Sequence, residues 1–132
     1  MKIDIHSHIL PGIDDGARTL EESVQLVSEM AGWGFERITC TPHITKKFRN
    51  TQESIKEKFD MLSNAVSRKG LNIELRMSAE YRLNPETWPE ILSQGQLMTI
   101  EDQYILMEFP INDPTEMGDL IPMEEFRKVL SL

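Results

Sequence analysis

The sequence predicts an α/β fold built from parallel βα units. Short apolar runs alternate with amphipathic segments along the 132 residues, and the apolar runs recur about every 35 residues. That interval leaves room for a crossover helix between successive strands, which parallel pairing requires. No internal repeat or linker divides the chain, so we expect one domain. About four units are too few to close a barrel, and they would form half of one or an open sheet.

The first unit begins with a strand predicted over Lys2–His6, which leads into a turn-rich loop at 7–18. Thr19 and Glu22 then have the spacing of a capping box, which predicts a helix starting at this point. Gly32 and Gly34 end that helix. Its apolar stripe comprises Leu20, Val24, Val27 and Ala31.

The second unit has a strand predicted over Arg37–Thr41, a polar loop at 42–50 and a second amphipathic helix that ends at Gly70. The stripe of this helix comprises Ile55, Phe59, Leu62 and Val66. Two shorter units follow. Their strands are predicted over Asn72–Met77 and Tyr104–Glu108, and their helices begin at Asn84-Pro85 and at about Pro122, the latter running to Leu130.

Composition excludes several classes of function. The formal net charge is −8, which argues against binding nucleic acid or an anionic membrane surface, since both need a basic face. No apolar run approaches the roughly 18–20 residues of a membrane span, so we expect no membrane insertion. The N-terminus does not resemble a signal peptide. The single cysteine, Cys40, favours a reducing, cytoplasmic location and is expected to pack in a strand as a small hydrophobe.

The three histidines and one glutamate carry the chemical signal. His6 and His8 stand at the end of the first predicted strand, His43 follows the second strand, and Glu80 follows the third. Because the carboxyl ends of parallel strands share one face of the fold, we expect these side chains to converge there. Imidazole and carboxylate groups in that arrangement predict a site for divalent metal ions.

Each of these residues also has a simpler interpretation. A lone surface histidine is usually not a ligand, a His-x-His pair often arises by chance, and Glu80 alone would be a solvated loop carboxylate. Asp14 and Asp15 would ordinarily be turn-forming residues in a glycine-rich loop. The position of all three histidines at strand ends favours the metal site.

Several segments of the sequence resemble a known family. Residues 1–17, which read MKIDIHSHILPGIDDGA, are similar to the opening of the polymerase-and-histidinol-phosphatase (PHP) superfamily. The nearest resemblance is to bacterial manganese-dependent protein-tyrosine phosphatases of capsule and exopolysaccharide operons. Thr41-Pro-His43 resembles the second motif of that group, Ser78-Ala-Glu80 its third motif, and Leu106–Pro110 one of its structural strands.

The resemblance implies a distorted (β/α)7-type PHP barrel with up to three divalent ions. Manganese is the expected ion, and iron, zinc or magnesium are alternatives. By position, His6 and His8 would bind one ion, Glu80 would bridge two, and His43 would bind beside them. Asp14 would support a ligand or a water of the cluster. The metal ions would activate water and neutralise charge on a phosphoryl group.

The later motifs of that group, His-Pro-Glu-Arg and Asp-x-His, are absent, since no histidine follows His43. Residues 1–132 are therefore expected to be the N-terminal part of a single PHP-type domain. The implied function is hydrolysis of phosphotyrosine on a bacterial tyrosine kinase that regulates capsule or exopolysaccharide synthesis. The alternatives are a non-catalytic remnant that dimerises through its open sheet edges, and a phosphatase for another phosphomonoester such as histidinol phosphate.

Overall fold

The computed structural model describes residues 1–83 and 87–108. The strands are β1 (Ile3–Ser7), β2 (Arg37–Cys40), β3 (His43–Ile44), β4 (Glu74–Met77), β5 (Glu80–Arg82) and β6 (Leu106–Glu108). The helices are α1 (Leu20–Gly32), α2 (Gln52–Arg68) and α3 (Trp88–Ser93). The predicted helix start at Asn84-Pro85 and the predicted last helix, Pro122 to Leu130, lie outside the described residues.

All the strands pair in parallel, in two sheets with the orders β1-β2-β4 and β3-β5-β6. The predicted α/β class with parallel strands is therefore confirmed. The loop predicted at 42–50 is wrong at its start, because His43 begins a short strand of the second sheet. Glu80 follows β4 as predicted and begins another short strand of that sheet.

The two sheets are joined by backbone hydrogen bonds across the interruption between them. The Ser78 amide donates to the Cys40 carbonyl at 2.8 Å, and the Glu80 amide donates to the Pro42 carbonyl at 3.0 Å. Pro42 has no N–H to donate, which explains why the regular ladder breaks between β2 and β3. The chain nevertheless continues in nearly the same direction, so His43 and Glu80 lie beyond the carboxyl ends of β2 and β4.

The helices begin where side-chain caps satisfy their first amides. The Thr19 hydroxyl accepts from the Glu22 amide at 3.2 Å, and the Glu22 carboxylate accepts from the Arg18 amide at 2.9 Å. Helix α2 has a reciprocal capping box between Thr51 and Ser54 that the sequence interpretation missed. Serine replaces the usual Glu or Gln of this motif, so the pattern gave little signal.

One hydrophobic core joins residues of the helices and of both sheets. Its fully buried residues include Val27 of α1, and Ile55 and Leu62 of α2, which belong to the apolar stripes predicted for these helices. Ile38 of β2 is fully buried as well. Trp88 of α3 is also fully buried. Among the described residues, no helix combines the length and apolar character needed to span a membrane. This packing leaves the carboxyl ends of the strands free to present polar side chains.

Candidate metal centre

The predicted site residues come together around one carboxylate oxygen. Glu80 Oε2 lies 3.3 Å from His6 Nε2, 3.2 Å from His8 Nε2 and 3.0 Å from His43 Nδ1. The His6 and His8 Nε2 atoms are themselves 3.1 Å apart. The predicted convergence of these side chains, which belong to separate strands, is therefore confirmed.

Strand pairing explains why these residues meet. His43 and Glu80 are direct partners in the parallel register of β3 and β5. Ser7, between His6 and His8, is fixed to the second strand, because its hydroxyl donates to the Thr39 carbonyl at 2.9 Å. Side chains alternate along an extended chain, so burying Ser7 on one side directs His6 and His8 together to the other.

Asp14 lies behind the histidines and makes no direct contact with Glu80 that would place it in the centre. Its Oδ2 accepts a hydrogen bond from His8 Nδ1 at 2.9 Å and another from the His43 amide at 2.9 Å. Its Oδ1 accepts from the Gly16 amide at 3.0 Å. An ionised carboxylate can only accept, so His8 Nδ1 carries the proton and the Nε2 lone pair faces the centre.

These contacts shift the pKa values of both partners. The hydrogen bond that His8 donates to Asp14 is the largest cause that raises the pKa of His8 above its ordinary value, against the opposing effect of burial. Burial alone would raise the pKa of Asp14, but the hydrogen bonds from His8 and from the amides of His43 and Gly16 lower it overall. Asp14 is thus held as a carboxylate, the form that orients a histidine ligand.

Buried atoms that form no hydrogen bond lie at the centre of the site. Within the described residues, these include Glu80 Oε2 and His43 Nδ1, which lie 3.0 Å apart. Buried polar atoms in proteins are nearly always satisfied, so these two atoms are suited to ligate a cation. A set of imidazole nitrogen and carboxylate oxygen donors suits a first-row transition-metal ion better than an ion that prefers oxygen ligands alone.

The donors form three overlapping groups, each within 4.8 Å. The first group comprises His6, His8 and Glu80, the second His43, Glu80 and Glu108, and the third His8, Asp15 and His43. Glu80 belongs to two of the groups, which is the position a bridging carboxylate would take.

Two residues of these groups were missed as ligands in the sequence. Glu108 ends β6, its Oε2 lies 3.9 Å from His43 Nδ1, and it also pairs with Arg82 at 3.1 Å. The signal was available, since Glu108 ends a strand of the same parallel series, but its segment was interpreted as structural only. Asp15 was interpreted as a turn former, and its Oδ1 lies 3.4 Å from His43 Nε2.

Cys40 does not contribute to the centre. It is fully buried in β2, and this burial raises the pKa of its thiol to about 12. A thiol that stays protonated near neutral pH is a poor nucleophile. The prediction that Cys40 packs as a small hydrophobe is therefore confirmed.

Comparisons with known proteins identify the family of this chain. Residues 2–119 match the family described as "Capsular polysaccharide synthesis, CpsB/CapC". The chain is 31% identical to CapC of Staphylococcus aureus over 112 residues, which is 84% of this chain and 44% of CapC. It is also 31% identical to the tyrosine-protein phosphatase YwqE of Bacillus subtilis (strain 168), over 83% of this chain and 44% of YwqE.

A solved structure supports the same relationship. It comes from work on YwqE of Bacillus subtilis and CpsB of Streptococcus pneumoniae, described as unique metal-dependent tyrosine phosphatases. The match has a TM-score of 0.72 at 31% identity and covers 82% of this chain and 44% of the other. This chain thus spans less than half the length of these relatives. Because residues 2–119 of this chain match the family, the chain belongs to the CpsB/CapC capsular polysaccharide synthesis family.

Proposed function

We propose that this chain contributes the metal-binding half of a metal-dependent protein-tyrosine phosphatase. Its substrate would be phosphotyrosine on a bacterial tyrosine kinase that regulates capsule or exopolysaccharide synthesis. The observation that carries the proposal is the buried Glu80 Oε2, which lies within 3.3 Å of nitrogen atoms from His6, His8 and His43. The relatives named as tyrosine-protein phosphatases support the choice of substrate class.

Manganese is the ion we propose, with iron, zinc or magnesium as alternatives. His6 and His8 would hold one ion together with Glu80, and His43 and Glu108 would hold a neighbouring one. Bound ions would supply Lewis-acid stabilisation of phosphoryl oxygens and an activated water.

The other residues of the site prepare it for that chemistry. Asp14 holds the proton on His8 Nδ1 and, through the His43 amide, fixes the start of β3. The side chain of Glu80 is only 8% exposed, which keeps water from competing for its oxygens, whereas that of His6 is 45% exposed and leaves one side open. An anionic substrate would approach from that open side.

The family length and the strand order support a proposal about architecture. Within each sheet, strands that follow one another along the chain are hydrogen-bonded neighbours, as they are in a barrel. The chain spans 44% of the length of CapC. We propose that residues 1–132 are the N-terminal part of a single PHP-type domain, a distorted (β/α)7-type barrel. A cytoplasmic location is part of this proposal, supported by the free thiol of Cys40.

The test is hydrolysis of p-nitrophenyl phosphate by this chain with added Mn²⁺. We expect activity that depends on Mn²⁺ and falls at least tenfold in His6→Ala. Glu57→Gln is the control, because Glu57 is an exposed residue of α2. Activity that persists in His6→Ala, or a wild-type chain that hydrolyses nothing with Mn²⁺, would contradict the proposal for this chain.

A second set of substrates tests the substrate class. A phosphotyrosine peptide and histidinol phosphate would be compared at equal concentration. Faster hydrolysis of the peptide supports the protein-tyrosine phosphatase, and faster hydrolysis of histidinol phosphate would assign the chain to another PHP activity.

A further inference from the structure

A cavity of about 460 Å³ opens directly beside the candidate metal centre. Its walls include His43 and Glu108 from the centre, and Thr45, Lys47 and Phe48 from the loop that joins β3 to α2. The volume lies within the roughly 300–1,000 Å³ of small-molecule sites. Because His43 belongs to both the centre and the cavity wall, a group bound at the metals would extend into this cavity.

Phe48 is held in the wall by a tight turn. The Thr45 amide donates to the Phe48 carbonyl at 2.9 Å, and the Thr45 hydroxyl accepts from the Phe48 amide at 2.9 Å. The Phe48 ring lies nearly parallel to the His43 ring, with 8° between planes and 6.0 Å between centroids. The turn thus fixes the backbone of Phe48, and its ring lies next to a candidate ligand.

The cavity has charged walls of both signs, with the cations in slight excess. Lys46, Lys47 and Arg82 line it together with the carboxylates of Asp15 and Glu108, and Arg82 pairs with Glu108 at 3.1 Å. Lys47 Nζ lies 4.9 Å from the centroid of the Phe48 ring. The cavity therefore combines cations, which attract a phosphate ester, with an aromatic surface, which suits an aromatic leaving group.

We propose that Phe48 is the specificity-determining residue for the aromatic ring of an aryl phosphate ester. This inference rests on the proposed phosphatase function. With the phosphoryl group at the metal centre, the ester's ring would pack against Phe48, while Lys47 stays near the phosphate and the ring face. An alkyl phosphate would engage the metals equally but would gain nothing from Phe48.

The test uses two phosphonates that cannot be hydrolysed, so it does not depend on turnover. Binding of phenylphosphonate and methylphosphonate to the full chain loaded with Mn²⁺ would be measured by calorimetry. We expect phenylphosphonate to bind roughly fivefold to tenfold more tightly than methylphosphonate, the gain of an aromatic contact.

Three variants separate recognition from folding. Phe48→Ala should bring the ratio of the two affinities to about one, and Phe48→Leu, which keeps apolar bulk, should retain part of the preference for phenylphosphonate. Phe35→Ala is the matched control, because Phe35 is also a partly buried phenylalanine beneath a lysine, with Lys2 Nζ at 4.3 Å from its ring centroid. The preference of Phe35→Ala for phenylphosphonate over methylphosphonate should equal that of the wild type.

The outcomes distinguish this inference from the proposed function. Equal affinity for the two phosphonates in the wild type, or a preference that survives in Phe48→Ala, would overturn the role of Phe48 while leaving the metal centre intact. Failure of the Mn²⁺-loaded chain to bind either phosphonate would overturn both.

Discussion

Replacing Asp14 by Asn tests whether this carboxylate assembles the site. The two oxygens of Asp14 have different partners: Oδ2 serves His8 Nδ1 and the His43 amide, and Oδ1 serves the Gly16 amide. Asparagine has one acceptor oxygen, so it can replace only one of the two. Whichever orientation it takes, at least one donor then faces an NH₂ group.

Asp14→Asn should lower both the stability of the fold and the affinity for the metal ion. The better orientation keeps the bonds to His8 and His43 and leaves the Gly16 amide unsatisfied, a loss of about 1–3 kcal/mol in the free energy of unfolding. The charge that orients His8 is lost as well, and such supporting residues typically contribute 10–100-fold to metal affinity, or about 1.4–2.8 kcal/mol.

Two assays measure these effects separately. Urea denaturation of the metal-free chain gives the change in stability, and calorimetric titration with Mn²⁺ gives the affinity. Asp14→Ala, which loses all the hydrogen bonds, should be more affected than Asp14→Asn in both. An affinity of Asp14→Asn within twofold of the wild type would refute the orienting role of this residue.

Three further predictions concern other parts of the described chain. A Cβ on Gly16 would lie 2.0 Å from the His8 carbonyl oxygen, so Gly16→Ala should displace His8. This change should lower both the unfolding midpoint and the affinity for Mn²⁺. Gly32→Ala is the control and should not lower the affinity, because nothing lies within 4 Å of a Cβ built on Gly32. With a pKa of about 12, Cys40 should resist a thiol reagent at pH 8 in the native chain and react in urea, and rapid native reaction would contradict its burial. Hydrogen bonds from Arg76 and Arg37 lower the pKa of Glu74, so its stabilisation is present above its unfolded-state pKa and is lost as the pH falls. Glu74→Gln should therefore lose less stability than the wild type on acidification, as urea midpoints would show, and an equal loss would count against the ion pairs.

The convergence of His8 and His43 could be predicted because it follows from topology. Once two segments are recognised as consecutive parallel strands, their carboxyl ends must share one edge of the fold. The start of α1 was predictable for a similar reason, since the cap at Thr19 acts within a single turn of chain.

Other features depend on contacts that no local pattern records. Strands β3 and β5 have two and three residues, too few to show an alternation, and they are defined by pairing with distant segments of the chain. The hydrogen bond from the His43 amide to Asp14 joins residues 29 positions apart. Glu108 was missed for a different reason: it ends β6 and topology would have placed it at the same edge, but its segment was interpreted as structural only.

The central claim is that His6, His8, His43 and Glu80 bind a divalent ion. The most direct measurement is the unfolding midpoint of the chain with and without Mn²⁺, for the wild type, Glu80→Gln and the control Glu57→Gln. Binding to the folded chain stabilises it by about 2.7 kcal/mol at an ion concentration a hundredfold above Kd. We predict that Mn²⁺ raises the midpoint of the wild type and of Glu57→Gln, and that Glu80→Gln loses most of this increase. A wild-type midpoint that does not respond to Mn²⁺, or an equal response in Glu80→Gln, would contradict the account.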